Sequence, residues 1–164
     1  MKIVILSDLH IISPRDGFKE AHKKRAHFAQ TWDSLKAVQR RVRAEAPDLI
    51  ISVGDLIDWY SDENRDEALE FLYKLGAPWL LTPGNHDIAG YTRKGGIVEG
   101  PFSIPEVERI ARMGWGAVGV PLENRIVEIG TTQLLFMDSA TVDIPSATQL
   151  WLEKTIRETA EKMG

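Results

Sequence analysis

The sequence contains no cysteine, which excludes disulfide bonds and thiolate metal sites. It also has no apolar run long enough to cross a bilayer. The first run stops at Ser7 and Asp8, too early for a signal peptide. We therefore expect a cytoplasmic protein with no membrane partner. The net charge of −4 gives no general attraction to nucleic acid or to acidic lipid surfaces.

The composition is that of a globular chain, with 164 residues, 43% apolar and 27% charged. Its charges are unevenly distributed. Nine Lys/Arg and three Asp/Glu lie between Arg15 and Arg43, whereas nine Asp/Glu and one Arg lie between Glu45 and Glu70. Two interpretations remain open for the basic stretch. It is either a solvated helix face or the mouth of a site for an anionic substrate.

Three short apolar runs predict strands, the first of them buried on both faces and the second also buried. They span Lys2–Leu6, Leu49–Val53 and Trp79–Leu81. A helical stripe from Phe28 to Ala46, ended by Pro47, separates the first two runs. A second helix is expected from Asp62 to its C-cap at Gly76. This alternation predicts a parallel sheet with right-handed crossovers.

The remaining chain is less regular. The glycine-rich stretch from Ala89 to Pro105 lacks P-loop spacing, so we expect a surface loop there rather than a phosphate cradle. A short helix is predicted over Ile104–Met113 and a hairpin around Gly130 and Thr131. A last helix begins at Ser146, with Leu152, Ile156, Ala160 and Met163 expected on its inward face.

Polar side chains follow each of the three predicted strands. They belong to the segments Ser7-Asp8-Leu9-His10, Gly54-Asp55-Leu56-Ile57-Asp58 and Gly84-Asn85-His86-Asp87. Any one of these residues alone is more often a helix cap or a surface group. Together, at the carboxyl edge of one parallel sheet, they predict a metal site. Carboxylate, imidazole and amide donors suit Mn, Fe or Zn.

The three segments also suggest what such a site could do. A carboxylate on the middle strand could bridge two ions that clamp a phosphoryl group and acidify an attacking water. Gly54 and Gly84 would let the backbone turn sharply beside the ions.

In order and strand context, the segments resemble the first three motifs of the calcineurin-like metallophosphoesterases. They look closest to the branch that contains cyclic-nucleotide phosphodiesterases. The resemblance implies an α/β fold, namely the N-terminal half of an α/β/β/α sandwich with a mostly parallel sheet flanked by helices. It also implies hydrolysis of phosphate mono- or diesters, with nucleotides among the candidate substrates, by a hydroxide that bridges two divalent metal ions (Mn, Fe or Zn).

The resemblance also implies roles for individual residues. Asp8 and His10 would bind the first ion, Asp55 would bridge the two ions, and Asn85 would bind the second. His86 would protonate the leaving oxygen. Asp87 would supply the carboxylate that assists His86.

The family pattern continues with three later histidines, whereas this sequence has none after His86. We therefore expect residues 1–164 to form a phosphoesterase domain without its C-terminal part. The second ion, left with Asp55 and Asn85, should bind weakly. One sheet face should be exposed, so a homo-oligomer is a hypothesis.

Two other functions stay open. The chain could be a catalytically incomplete fragment or binding module that needs a partner chain or a missing C-terminal segment to complete the site. It could also be a nuclease of the same superfamily that uses the basic stretch. His22 and His27 are expected to be surface residues, with a substitute metal ligand as the alternative.

Overall fold

The computed structural model describes residues 1–29, 31–94, 97–141 and 144–163. Its central sheet contains three parallel strands in the order β1 (Ile3–Leu6), β2 (Leu49–Val53) and β3 (Trp79–Thr82). Ile5 pairs with Ile51, and Ile51 pairs with Leu80. The prediction of a parallel sheet is confirmed.

The described residues form six α-helices, and three of them contribute side chains to the core on one face of this sheet. The helices are α1 (Lys19–Lys24), α2 (Ala26–Ala29), α3 (Trp32–Glu45), α4 (Asp62–Tyr73), α5 (Pro105–Ala117) and α6 (Ser146–Met163). Leu35 of α3 and Phe71 of α4 belong to the main apolar core, together with Ile50 and Leu81 of the sheet. The Ser61 hydroxyl caps α4 by accepting a hydrogen bond from a backbone N–H group of its first turn.

A hairpin covers part of the other face. It consists of β6 (Arg125–Ile129) and β7 (Thr132–Phe136), as the sequence predicts. Phe136 packs in a second apolar cluster with Leu49 and Ile51. Helices, sheet and hairpin together form a mixed α/β arrangement that matches the sandwich implied by the resemblance.

Two predicted elements are wrong. The glycine-rich stretch is not an irregular loop, because it forms the antiparallel pair β4 (Gly90–Lys94) and β5 (Ile97–Phe102). Tyr91 anchors this pair by its edge-to-face contacts with Trp59 and Phe18. The helix predicted from Phe28 begins at Trp32 instead, and Phe28 lies in the separate turn α2.

The apolar patterning also fails at two places. Ile5 is 65% exposed, because it lies outside the apolar cluster that the hairpin forms with Leu49 and Ile51. On α6 the expected inward residue Ile156 is 57% exposed, whereas Thr155 is buried. Met163 lies where no side chain is described. Self-association through such exposed apolar groups stays a prediction. Among the described residues, no helix is long and apolar enough to cross a membrane.

Candidate active site

The loops after β1 and β2 remain paired beyond the strands themselves. The backbone N–H of Asp8 donates to the Gly54 carbonyl (3.1 Å), and that of His10 donates to the Asp55 carbonyl (3.0 Å). Asp8, His10 and Asp55 have positive φ angles of 55°, 45° and 50°. Such angles are uncommon outside glycine and cluster at functional sites. Hydrogen bonding therefore holds these two loops in conformations that most residues avoid.

The loop after β3 approaches the middle loop closely enough to require glycine. A Cβ atom on Gly54, where φ is +106°, would lie 2.9 Å from the Cα of Gly84. A Cβ atom on Gly84 would overlap the carboxylate and backbone nitrogen of Asp55. The same Asp55 carboxylate accepts a hydrogen bond from the backbone N–H of His86 (2.9 Å). All three strand ends therefore meet at Asp55.

Asp8, His10 and Asp55 can hold a metal ion. One potential ligand atom from each lies within 4.8 Å of the other two. The His10 Nε2 atom is 3.9 Å from Asp55 Oδ2. Two carboxylates and one imidazole suit a divalent cation such as Mn, Fe or Zn. Asn85, the fourth residue expected to bind metal, is exposed on the adjoining loop. These residue types fit the metal-dependent chemistry implied by the sequence.

Asp58 holds both site histidines. Its side chain is completely buried, and its Oδ1 atom lies 2.8 Å from His10 Nδ1 and 3.3 Å from His86 Nδ1. Its backbone carbonyl lies 2.7 Å from His86 Nδ1. A carbonyl oxygen can only accept, so the Nδ1 atom of His86 carries a proton. The Nε2 atom of His86 therefore remains available for chemistry.

Arg25 neutralises this buried carboxylate. Its Nε and Nη2 atoms donate to the two Asp58 oxygens, each at 2.6 Å. Burial alone would raise the pKa of Asp58, but hydrogen bonds from Arg25, His10 and His86 outweigh it and hold that pKa well below its usual range. Asp58 is thus ionised. Burial alone would lower the pKa of His86, but the neighbouring Asp58 raises it overall.

The helices α1 and α2, which we call the cap, also cover His10. Phe28 of α2 stacks on the His10 ring with centroids 4.5 Å apart, and the Arg25 guanidinium lies 4.5 Å from the centre of the Phe28 ring. The basic stretch of the sequence therefore contributes Arg25 to the candidate site. Its other part, α3, packs on the sheet.

Asp87 has different partners from those expected for it. Its two oxygens accept hydrogen bonds from the backbone N–H groups of Ile57 (3.1 Å) and Gly84 (2.8 Å). Burial, opposed by these backbone bonds, raises its pKa to about 7. The carboxylate beside the His86 ring is that of Asp58. Asp87 therefore joins the second and third strand ends.

Sequence reasoning assigned no role to Asp58 or Arg25. Asp58 lies in a quoted segment, three residues after Asp55, so its carboxylate was a visible signal. No local sequence pattern indicated a role for Arg25, because it lies 33 residues from Asp58 in the chain. His22 approaches Asp16 (3.2 Å) and His27 is exposed. Within the described ranges, neither belongs to a group able to hold a metal.

Comparison with known proteins agrees with this site. A family model described as calcineurin-like phosphoesterase matches residues 1–160. An uncharacterised metallophosphoesterase of Bacillus subtilis is 38% identical over 81 residues, covering 46% of this chain and 28% of the relative. A probable cyclic nucleotide phosphodiesterase of Coxiella burnetii is 29% identical over 87 residues, covering 53% and 32%. The matched segments span about a third of the length of these curated relatives. The chain belongs to the calcineurin-like phosphoesterase family.

Proposed function

We propose that this protein hydrolyses phosphate mono- or diesters with divalent metal ions held by Asp8, His10, Asp55 and Asn85. The observation that carries the proposal is the convergence of the first three residues within 4.8 Å. When bound, the ions would polarise the phosphoryl oxygens and acidify the attacking water. The name of the Coxiella burnetii relative makes a phosphodiester the first substrate to test.

His86 is the proposed proton donor to the leaving oxygen. Its Nδ1 proton is committed to Asp58, so proton transfer takes place at Nε2. The raised pKa of His86 favours the protonated ring that a general acid needs. In this proposal Asp58 stabilises the imidazolium, and Asp87 fixes the backbone between His86 and the middle strand.

A direct test measures hydrolysis of p-nitrophenyl phosphate and bis(p-nitrophenyl) phosphate with added Mn²⁺. Replacing His86 by Gln should lower kcat by about 10²- to 10⁴-fold, the usual loss for a general acid. Asp55→Asn should lower it at least as far, because this carboxylate belongs to the metal group. Glu63→Gln, an exposed change on α4, is the matched control. Unchanged turnover in the Asp55 and His86 variants would refute the proposal.

A second candidate function is a binding module with an incomplete catalytic site. It is favoured by the absence of histidine after His86, which leaves Asp55 and Asn85 for the second ion. Calorimetry with Mn²⁺ and Zn²⁺ separates the two functions. One ion per chain and no turnover would support the binding module, which would then need a partner chain. Two tightly bound ions would exclude it.

A further inference from the structure

We propose that Arg25 is a positioning residue that fixes Asp58 and, through it, the orientation of both site histidines. This inference rests on the proposed phosphoesterase function. It assigns the cap a part in the active site rather than the role of a solvated basic surface. Arg25 is not expected to contact the substrate or the ions.

Arg25 and Asp58 form a bidentate pair. Two parallel hydrogen bonds of 2.6 Å join the guanidinium to both carboxylate oxygens. Paired bonds of this kind fix the plane of a carboxylate, which a single bond from lysine cannot do. The Arg25 side chain is only 22% exposed, and that of Asp58 is fully buried, so water competes weakly for these bonds.

The fixed carboxylate plane places Asp58 Oδ1 beside both site histidines. The atom lies within 2.8 Å of His10 Nδ1 and 3.3 Å of His86 Nδ1. Since both carboxylate oxygens already accept hydrogen bonds from Arg25, the nearer Nδ1 is the donor to Oδ1, and His10 presents its Nε2 atom toward Asp55. One arginine therefore sets the direction of a predicted metal ligand and supports the predicted proton donor.

The cap (α1 and α2) also contacts the Arg25–Asp58 pair and His10. Arg25 is the C-cap residue of α1 and lies over the ring of Phe28, which in turn stacks on His10. The cap thus contacts His10 from the ring face while Asp58 holds it at Nδ1. A change at Arg25 would loosen both contacts together.

The experiment compares Arg25→Gln and Arg25→Lys with the wild-type protein and with Lys23→Gln, an exposed change on α1. Nitrogen-15 NMR of the histidine rings is recorded without metal. The wild type should show protected Nδ1–H signals from His10 and His86. In Arg25→Gln these signals should broaden through exchange, and Arg25→Lys should be intermediate. Lys23→Gln should match the wild type.

Kinetics and metal binding add two further measurements. In Arg25→Gln, kcat and Mn²⁺ affinity should each fall about 10- to 100-fold, as for other groups that orient metal ligands. KM should change little, because Arg25 does not touch substrate. A general loss of structure would instead appear in the circular dichroism spectrum and in the signals of His22 and His27.

Two results would overturn the inference. One is an Arg25→Gln protein that keeps both protected signals. The other is an Arg25→Lys protein that is identical to wild type in its NMR signals and kcat. This second result tests the role of Arg25 even if Arg25→Gln does not fold. If the wild type has no phosphoesterase activity, the proposed function fails, whereas the NMR comparison still decides the role of Arg25.

Discussion

The two sides of the candidate site differ in whether a carboxylate is paired with a cationic side chain of the protein. On one side, Asp58 is buried and bonded to Arg25, His10 and His86. On the other side, Asp8 is exposed, and it approaches a second carboxylate, that of Asp55, within the metal group. We call these the buried side and the open side.

From this difference we expect a cation to bind on the open side. The buried side pairs its carboxylate with a guanidinium, so it forms without an ion. On the open side, two carboxylates approach each other and repel, and a bound cation would remove that repulsion. Interactions within the protein thus hold the side that carries the proposed proton donor, whereas the proposed ligands Asp8 and Asp55 lack a cationic partner of this kind among the described residues.

The largest expected difference comes from matched substitutions on the two sides. Asp58→Asn places an NH₂ group where the carboxylate accepts hydrogen bonds from Arg25 and His10. It also leaves the Arg25 guanidinium without its counter-charge. The free energy of unfolding should therefore fall by about 3 kcal/mol. Asp8→Asn should change it by less than about 0.5 kcal/mol, since the side chain is exposed and asparagine tolerates a positive φ. Urea denaturation measures both. Equal losses would contradict the comparison.

Metal binding tests the open side directly. At a hundredfold excess of free Mn²⁺ over its dissociation constant, the wild type should gain about 2.7 kcal/mol of stability by mass action. Asp55→Asn should abolish the gain, because it removes a carboxylate of the metal group. Thermal unfolding with and without EDTA measures the effect. A gain that persists in the Asp55 variant would place the ion elsewhere.

The convergence of the strand ends could be predicted from the sequence, because an apolar run followed by Asp, His or Asn is a local pattern. The parallel order of the strands then brings Asp8, His10 and Asp55 together. The link from Arg25 to Asp58 could not be predicted, because it depends on how the cap folds back over the sheet. Patterning also missed β4 and β5, since the glycines of this stretch indicated a loop.

Close approach of the strand ends can be tested with two glycines. Gly84→Ala should cost about 2 kcal/mol, because its Cβ atom would overlap Asp55 and force the two loops apart. Gly116→Ala on α5, where a Cβ atom meets nothing within 4 Å, should be neutral or stabilise by up to about 1 kcal/mol. The same denaturation assay measures both, and a neutral Gly84→Ala would show that the loops separate freely.

The smallest expected effect concerns the other buried aspartate of the site. Asp87→Asn should cost only about 1 kcal/mol near neutral pH, because a neutral group suits a position where burial raises the pKa to about 7. Between the ordinary value of 3.8 and about 7, folded Asp87 keeps a proton that the unfolded chain releases, so wild-type stability falls as pH rises. The cost of Asp87→Asn should therefore shrink with rising pH.

Asp58 should show the opposite dependence on pH. Its pKa is lowered on folding, so its contribution is present above 3.8 and is lost as pH falls below that value. The cost of Asp58→Asn should therefore shrink on acidification. Unfolding free energies of both variants, measured against wild type from pH 3 to pH 8, separate the two directions. Parallel pH profiles would mean that the two buried carboxylates have the same protonation behaviour, and that Arg25 does not set Asp58 apart.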